Sequence, residues 1–436
     1  MRQIYIALMC IAAGLGLSAH AATDGSFPRL GAYDIGGPQN YDNSTVQKNL
    51  AKLDVVVLNV WPGWSNGRSM SMQQVVNNIK TMNPGERVFL YLDINELQSP
   101  ASSAWNAVQD KLNQMNWWLY PSGSGGTPVK SSYGSNYNEI NTTVFTPKDS
   151  DGLNFLDWYA KFAVTQFYTP SPSIDGFYTD NVFAKPRVNG DWNLDGTSDS
   201  QSSSTVASWY RDGYVAFINA LRAQMPGKLQ TGNVADWALS GSTIGQYDQQ
   251  LNGGVLEGMI GYSWAPETWG GWAEMMREYR VIMAALASPK LAIFHQNGSS
   301  TDYQGFRYGF TSCLMDDAYY YFSNNNSYSQ LVWFDEFDAN LGQAVSAPPT
   351  SAWSKGVYRR DFDNAIVLVN PKGNGAQSVV LEQDVQRLSG TQAPGVNSGA
   401  VVPAGTAIQL ADRDGIVLLR TSAVARPAAP PTVSVQ

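Results

Sequence analysis

The sequence predicts an α/β fold, a (β/α)8 barrel followed by a small antiparallel β-sandwich. Eight short apolar runs of strand character are the first observation. They are 30–34 (LGAYD), 54–60 (DVVVLNV), 87–93 (RVFLYLD), 174–180 (IDGFYTD), 228–233 (KLQTGN), 254–257 (GVLE), 291–296 (LAIFHQ) and 331–335 (LVWFD). Near-continuous apolar runs suit strands covered on both faces, as in a parallel barrel. The second observation is helical periodicity between them. Over 209–224, Tyr210, Tyr214, Phe217 and Leu221 recur at helical spacing, and 153–167 and 271–287 behave alike. Alternation repeated eight times gives a barrel; the alternative is an open doubly wound sheet, whose G-x-G-x-x-G turn does not follow the first strand. The third observation is the change after residue 356 to short alternating runs such as NAIVLVNP and TAIQLADRDGIVLLR, the pattern of hairpins.

These elements divide the chain into a signal peptide (1–21), a barrel (22–350), a β-sandwich (351–422) and a disordered tail (423–436). Arg2 precedes an apolar, Gly/Ala-rich stretch, and Ala19-His20-Ala21 fits the small-x-small cleavage rule, so a secreted or periplasmic protein is expected. The alternative is an uncleaved anchor. No later segment is long and apolar enough to span a bilayer. The formal net charge of −8 argues against nucleic acid or anionic lipid as a partner. Once the signal is removed, Cys313 is the one cysteine and His295 the one histidine, which excludes an intramolecular disulfide and a Cys- or His-rich metal site. A monomer that requires no cofactor is expected. Two insertions, 98–148 and 184–206, follow the third and fourth strands and should overhang the barrel mouth.

Catalytic residues of such barrels lie at the C-terminal ends of the strands. Here those ends offer Asp34, Trp61, Asp93, Asp180, Asn181, Asn233, Asp236, Glu257, His295, Gln296, Asp335 and Glu336. A mouth rich in carboxylates, amides and Trp, and poor in Lys and Arg, does not suit phosphorylated substrates. It suits a neutral or cationic polyol. Asp180 ends IDGFYTD and is either catalytic or a helix cap. Glu257 sits among Gly and apolar residues, surroundings that raise a carboxyl pKa as a general acid requires; the other reading is an ion pair with an Arg such as Arg277. Two carboxylates facing one cleft are the minimal machinery for hydrolysing a glycosidic bond. Tyr33, Asp34, Asp93, Asn181, Asn233 and Asp335 are candidates for binding sugar hydroxyls. Trp61, Trp64, Trp237, Trp264 and Trp269 either stack on sugar rings or pack in the fold. His295 either contacts substrate or is a packed core residue. Asp191, Asn193 and Asp195, in DWNLDGTSD, form half of a calcium-loop pattern or an Asp/Gly-rich turn.

The set DGFYTDNV, GNVADW, GGVLEG and YGFTSCLMDDAYYYF…WFDEFDANLGQ resembles bacterial glycoside hydrolases related to glycoside hydrolase family 114, a group similar to endo-acting enzymes on α-linked galactosaminyl polymers. The resemblance covers roughly 30–369 and implies that Asp180 and Glu257 are the catalytic pair. A pair on strands four and six also resembles retaining α-glycosidase barrels such as the α-galactosidases. That implies retention at an α-linkage, with Asp180 as nucleophile and Glu257 as acid/base. Competing readings are a non-catalytic glycan-binding barrel and a polysaccharide lyase; the scarcity of cations at the strand ends disfavours the lyase.

Overall fold

The computed structural model describes residues 26–64, 69–237 and 244–422. The signal peptide read at 1–21 and the tail at 423–436 lie outside the described residues. Eight parallel strands pair in chain order: β1 (Gly31–Asp34), β2 (Val55–Leu58), β3 (Arg87–Leu92), β4 (Gly176–Thr179), β5 (Leu229–Asn233), β6 (Gly253–Ile260), β7 (Leu291–Gly298) and β8 (Tyr319–Asn324). A parallel bridge between Leu30 and Tyr320 returns the last strand to the first, and the Tyr320 N–H donates to the Arg29 carbonyl at 2.8 Å. This is the expected (β/α)8 barrel. Strands such as Val-Val-Val-Leu in β2 are buried throughout, because barrel residues face either the packed interior or the helices.

Seven α-helices accompany the strands among the described residues: α1 (Ser44–Leu50), α2 (Met72–Met82), α3 (Asn106–Met115), α4 (Phe155–Ala163), α5 (Ser204–Gln224), α6 (Pro266–Ala285) and α7 (Tyr303–Cys313). Local chemistry sets where several begin. Asn43, Ser71, Asn154, Ser203 and Asp302 each accept first-turn N–H groups, and Ser71 with Gln74 forms a full capping box. At the barrel floor Asp175 accepts from the Val88 N–H (2.8 Å) and pairs with Lys80 (2.6 Å) and Arg87 (2.9 Å).

The eighth strand is a correction. The run at 331–335 is not a strand of the barrel; β8 is Tyr319–Asn324, and Asp335–Asp338 is a 3-10 turn. The run is apolar because Phe334 lies flat on Phe306 of α7, with ring centroids 3.6 Å apart. Burial against the outer wall and burial in a sheet leave the same apolar signature over five residues.

The excursion after β3 carries a two-stranded ladder, Glu96–Gln98 against Tyr137–Glu139, and α3. Its Trp117 and Trp118 are buried, and the Trp117 indole N–H donates to the Pro147 carbonyl (2.7 Å). The excursion after β4 is tied to it: Asn141 and Thr143 both donate to the carbonyl of buried Trp192.

The C-terminal sandwich holds β9 (Tyr358–Asp361), β10 (Ala365–Asn370), β11 (Gln377–Val380), β12 (Val385–Arg387), β13 (Val401–Val402), β14 (Ala407–Leu410) and β15 (Asp414–Arg420). One sheet runs β9-β10-β15-β12-β13, and β11 pairs with β14. Alternation along β10 serves two cores. Ile366 and Leu368 pack with Val379, Ile408 and Leu410 inside the sandwich, whereas Ala365, Val367 and Val369 join the core of the barrel. Helix α7 is therefore covered on both sides, and its Arg307 meets Asp414 of β15 at 2.9 Å, with side chains only 6% and 11% exposed. Burial pushes the Asp414 carboxyl up, and Arg307 pulls it back. Removing one partner of such a pair leaves a buried charge and costs about 3–5 kcal/mol. Arg307→Met is expected to lower the melting midpoint clearly in near-UV circular dichroism. An unchanged midpoint would show that the sandwich docks by apolar contact alone.

Candidate active site

Three barrel strands end in a tyrosine followed closely by a carboxylate: Tyr33-Asp34, Tyr91-Leu92-Asp93 and Tyr178-Thr179-Asp180. The three rings cluster at the mouth, with Tyr178 lying 5.2 Å from Tyr33 and 5.8 Å from Tyr91 between centroids. Asp180 stands on this cluster. Its Oδ2 accepts from the Tyr91 hydroxyl at 2.6 Å and the Tyr33 hydroxyl at 3.4 Å, and its Oδ1 accepts from the Asn181 N–H at 2.9 Å. Asn181 takes φ 54°, a left-handed conformation that Asn tolerates better than most residues, and its side-chain oxygen accepts from Tyr133 (3.0 Å).

Glu257 reaches the same mouth from β6. That strand pairs regularly with β7 up to Leu256–Phe294 and resumes at Ile260–Gln296, so an irregularity holds Glu257. Gly258 follows at φ 67°; a Cβ there would meet the Trp264 ring at 2.2 Å. The Gly258 N–H donates to His295 Nδ1 at 3.1 Å, and His295 Nε2 lies 2.8 Å from Ser323 Oγ. Because Nδ1 accepts from a peptide, the ring proton is on Nε2 and is donated to Ser323. Burial pushes the His295 pKa down to about 3, so the ring is neutral. His295 is thus fully buried behind Glu257 and does not face the cleft.

The Glu257 carboxylate accepts from Asn233 Nδ2 on one oxygen and from the Tyr328 hydroxyl on the other, both at 2.8 Å. Burial raises its pKa first and the charge of Asp180 raises it next; Tyr328, Asn233 and Arg187 pull it down. The two carboxylates therefore share one electrostatic environment.

Further carboxylates line the wall beneath the first excursion. Asp93 accepts from the Asn95 N–H (2.8 Å), and burial, then Asp180, pushes its pKa well up. Burial, then Asp180, raises Glu96 to about 7, and burial, then Glu96, raises Glu139 to about 8. Asp93 and Glu96 line a cleft of about 470 Å3 with Trp61, Tyr91, Trp105 and Tyr137. Glu96, Glu139, Tyr91, Tyr262 and Tyr328 were not expected from the sequence. The repeated Tyr before a strand-end Asp is a signal that could have found Tyr91. The others lie in loops and the excursion, where the strand-end rule says nothing.

The remaining sequence candidates separate. Trp264 and Trp269 are 48% and 54% exposed on the segment after β6, and Trp264 stacks on Tyr262 at 4.6 Å. Trp64 and Trp237 are core residues stacked on Tyr41 and Tyr247. Asp34 is turned into its own chain, 3.3 Å from the Gly36 N–H, and burial raises it to about 6. Asp335 lies on the outer wall, where it accepts from the Gln392 N–H of the sandwich at 2.7 Å, because the run that contains it is not a barrel strand. Asp191 accepts from the N–H groups of Gly123, Asp195 and Gly196, and Asn193 from that of Asp195. These bonds by themselves account for the turn. Among the described residues, no three His, Cys, Asp or Glu side chains are grouped to hold a metal ion.

No curated protein matches the chain. Solved structures similar to it include an Anoxybacillus α-amylase, at 8% identity and TM-score 0.48, covering 91% of this chain and 98% of that one. Another is the glycoside hydrolase domain of PelA from Pseudomonas aeruginosa, at 12% identity and TM-score 0.39, covering 70% and 98%. A third is the GH36 α-galactosidase AgaA from Geobacillus stearothermophilus, at 11% identity and TM-score 0.43, covering 92% and 56%. The family described as hypothetical glycosyl hydrolase family 15 matches residues 80–366, well over half of the chain and a span that includes Asp180 and Glu257. The chain belongs to this glycosyl hydrolase family.

Proposed function

We propose that the protein is an exported glycoside hydrolase that cleaves an α-linked bond in a poly- or oligosaccharide with retention, using Asp180 and Glu257. The observation that carries the reading is the convergence of the two carboxylates on one mouth: the Tyr33 hydroxyl lies 3.4 Å from Asp180, and the Tyr33 ring stands 5.4 Å from that of Tyr328, whose hydroxyl reaches Glu257 at 2.8 Å. Glu257 in its protonated form gives its proton to the leaving oxygen as Asp180 attacks the anomeric carbon. Glu257 then takes a proton from the water that releases the sugar from Asp180. Hydrogen bonds from Tyr91, Tyr33 and the Asn181 N–H orient Asp180 for that attack. The chemistry uses side chains alone and calls for no cofactor. The cleft by Trp61 and the platform of Trp264 and Trp269 offer aromatic faces for sugar rings.

Asp180→Asn and Glu257→Gln are each expected to lower turnover by about 10²–10⁴-fold while the fold is kept. The assay is digestion of a glycan panel with products read by mass spectrometry. Glu257→Gln should lose least on aryl glycosides whose leaving group needs no proton. Near-wild-type turnover in either variant removes that residue from the reaction, and glycan binding without turnover in the wild type would favour a binding barrel.

Trp61→Ala and Trp264→Ala are expected to raise KM by roughly 2- to 10-fold with kcat little changed, since a stacked ring binds ground state and transition state alike. A fall in kcat alone would move these residues out of the binding role. The stereochemistry is checked by proton NMR of the first-formed product. Retention at an α-bond is expected; an inverted anomer would overturn the role of Asp180 as nucleophile, and cleavage of β-linked glycans only would overturn the linkage.

A further inference from the structure

An acid/base carboxyl must be comfortable in two protonation states within one turnover. As a carboxylate it wants donors on both oxygens; as an acid it needs an acceptor for its own proton. Asn233 can only donate through its amide nitrogen. The other partner, Tyr328, is a hydroxyl and can do either.

Tyr328 is held by its surroundings. Its carbonyl accepts from the Ile35 N–H at 2.9 Å, just past β1. Asn325 and Asn326 before it bond the Gly298 carbonyl (2.9 Å) and Asn297 Oδ1 (2.8 Å) at the end of β7. Its ring stands edge-on to Tyr33 at 5.4 Å and 5.6 Å from His295. The hydroxyl is therefore fixed in place while its O–H bond can turn. It touches Glu257 Oε1 at 2.8 Å on one side and the Tyr262 hydroxyl at 2.8 Å on the other, and either phenol can be the donor in the second contact. Tyr262 is half-buried and also meets the Ser323 hydroxyl, so its own O–H has a second acceptor to turn to.

We propose that Tyr328 and Tyr262 form a reversible hydroxyl relay that serves both protonation states of Glu257; the inference rests on Glu257 being the acid/base. With Glu257 a carboxylate, Tyr262 donates to Tyr328 and Tyr328 donates to Glu257. With Glu257 protonated, Glu257 donates to Tyr328, Tyr328 turns to donate to Tyr262, and the Tyr262 O–H turns to Ser323. No proton leaves either tyrosine. The proton lost to the leaving oxygen in the first half-reaction is regained from water in the second, and the relay reverses each time by rotation about C–O bonds.

Other groups also face Glu257. They are Asp180 and Tyr178 from the end of β4, Tyr33 from β1, Tyr321 from β8, Tyr133 from the first excursion and Arg187 from the second. Among the described residues, only Asn233 and Tyr328 hydrogen-bond its carboxyl. Tyr328 and Asn233 both pull the Glu257 pKa down against burial and Asp180.

The test is the pH dependence of kcat/KM for Tyr328→Phe, Tyr262→Phe and the double variant, with Glu257→Gln alongside and folding checked by circular dichroism. Tyr328→Phe removes a partner from both states of Glu257, but the charge-assisted bond to the carboxylate is the stronger of the two, so its loss raises the pKa of Glu257 and the acid form persists further. The alkaline limb should move up by roughly one pH unit in Tyr328→Phe. It should move up less in Tyr262→Phe, where Tyr328 still donates. The double variant should match Tyr328→Phe, because Tyr262 acts only through Tyr328. An unmoved limb in Tyr328→Phe, or shifts that add in the double variant, overturns the relay while an inactive Glu257→Gln leaves the catalytic reading standing. A fully active Glu257→Gln overturns that reading and the relay with it. If Tyr328→Phe does not fold, Tyr262→Phe decides: an upward shift supports the relay and an unmoved limb overturns it.

Discussion

Two carboxylates held in one desolvated barrel mouth set the terms for the rest of this structure. Each would be costly to bury by itself, and each makes the other costlier. Asp180 raises the pKa of Glu257, Asp93 and Glu96. The fold offsets this with neutral donors more than with cations. Tyr33, Tyr91 and the Asn181 N–H serve Asp180, and Asn233 and Tyr328 serve Glu257. A phenol supplies a hydrogen bond without the positive charge that would pull an acid pKa into the ordinary carboxylate range. Arg187, exposed and seated 4.0 Å over the Phe183 ring, acts on Glu257 through its field.

The same constraint explains why a buried histidine sits behind the site. Glu257 lies where β6 leaves regular pairing, and an irregular strand leaves peptide groups without ladder partners. His295 takes one of them, the Gly258 N–H, and passes its own proton to Ser323. A neutral ring is the form that can do both, and burial keeps it neutral. The chain from Ser323 through His295 to Gly258 links β8, β7 and β6 side by side and fixes the backbone that aims Glu257. The glycine is required there twice over, by its positive φ and by the Trp264 ring that fills the space of a Cβ.

Much of the fold was legible because most of the barrel strands are apolar runs bounded by polar or small residues, with periodic helices between some of them. The last strand was not. Tyr319–Asn324 carries three tyrosines and a polar end, whereas 331–335 is as apolar as a strand and covers the outer wall instead. Asp335 accordingly is not a strand-end residue and lies against the sandwich. It also hid Tyr328, which belongs to the loop that follows the true β8. Asp180 and Glu257 stood out because each is a carboxylate at the end of an apolar run. Glu96 and Glu139 did not, because their place at the mouth depends on an excursion folding back as a ladder, a long-range pairing with no local signature. Trp64 and Trp237 show the converse: following a strand end does not decide between cleft and core, and here both pack in the core.

The wall of raised carboxyls beneath the first excursion has a consequence for how the mouth handles charge. With Glu96 near 7 and Glu139 near 8, these groups keep protons well above the ordinary carboxylate range, and Asp93 is held in the same direction. A protonated carboxyl is a donor as well as an acceptor, so the cleft beside Trp61 presents donors and acceptors together, as polyol recognition requires. Ionising Asp93 or Glu96 would add a negative charge close to Asp180, and ionising Glu139 would add one close to Glu96. The wall thus resists ionisation collectively, and beside it stands the carboxylate best supplied with donors. That is Asp180, bonded on both oxygens by groups from β1, β3 and its own turn.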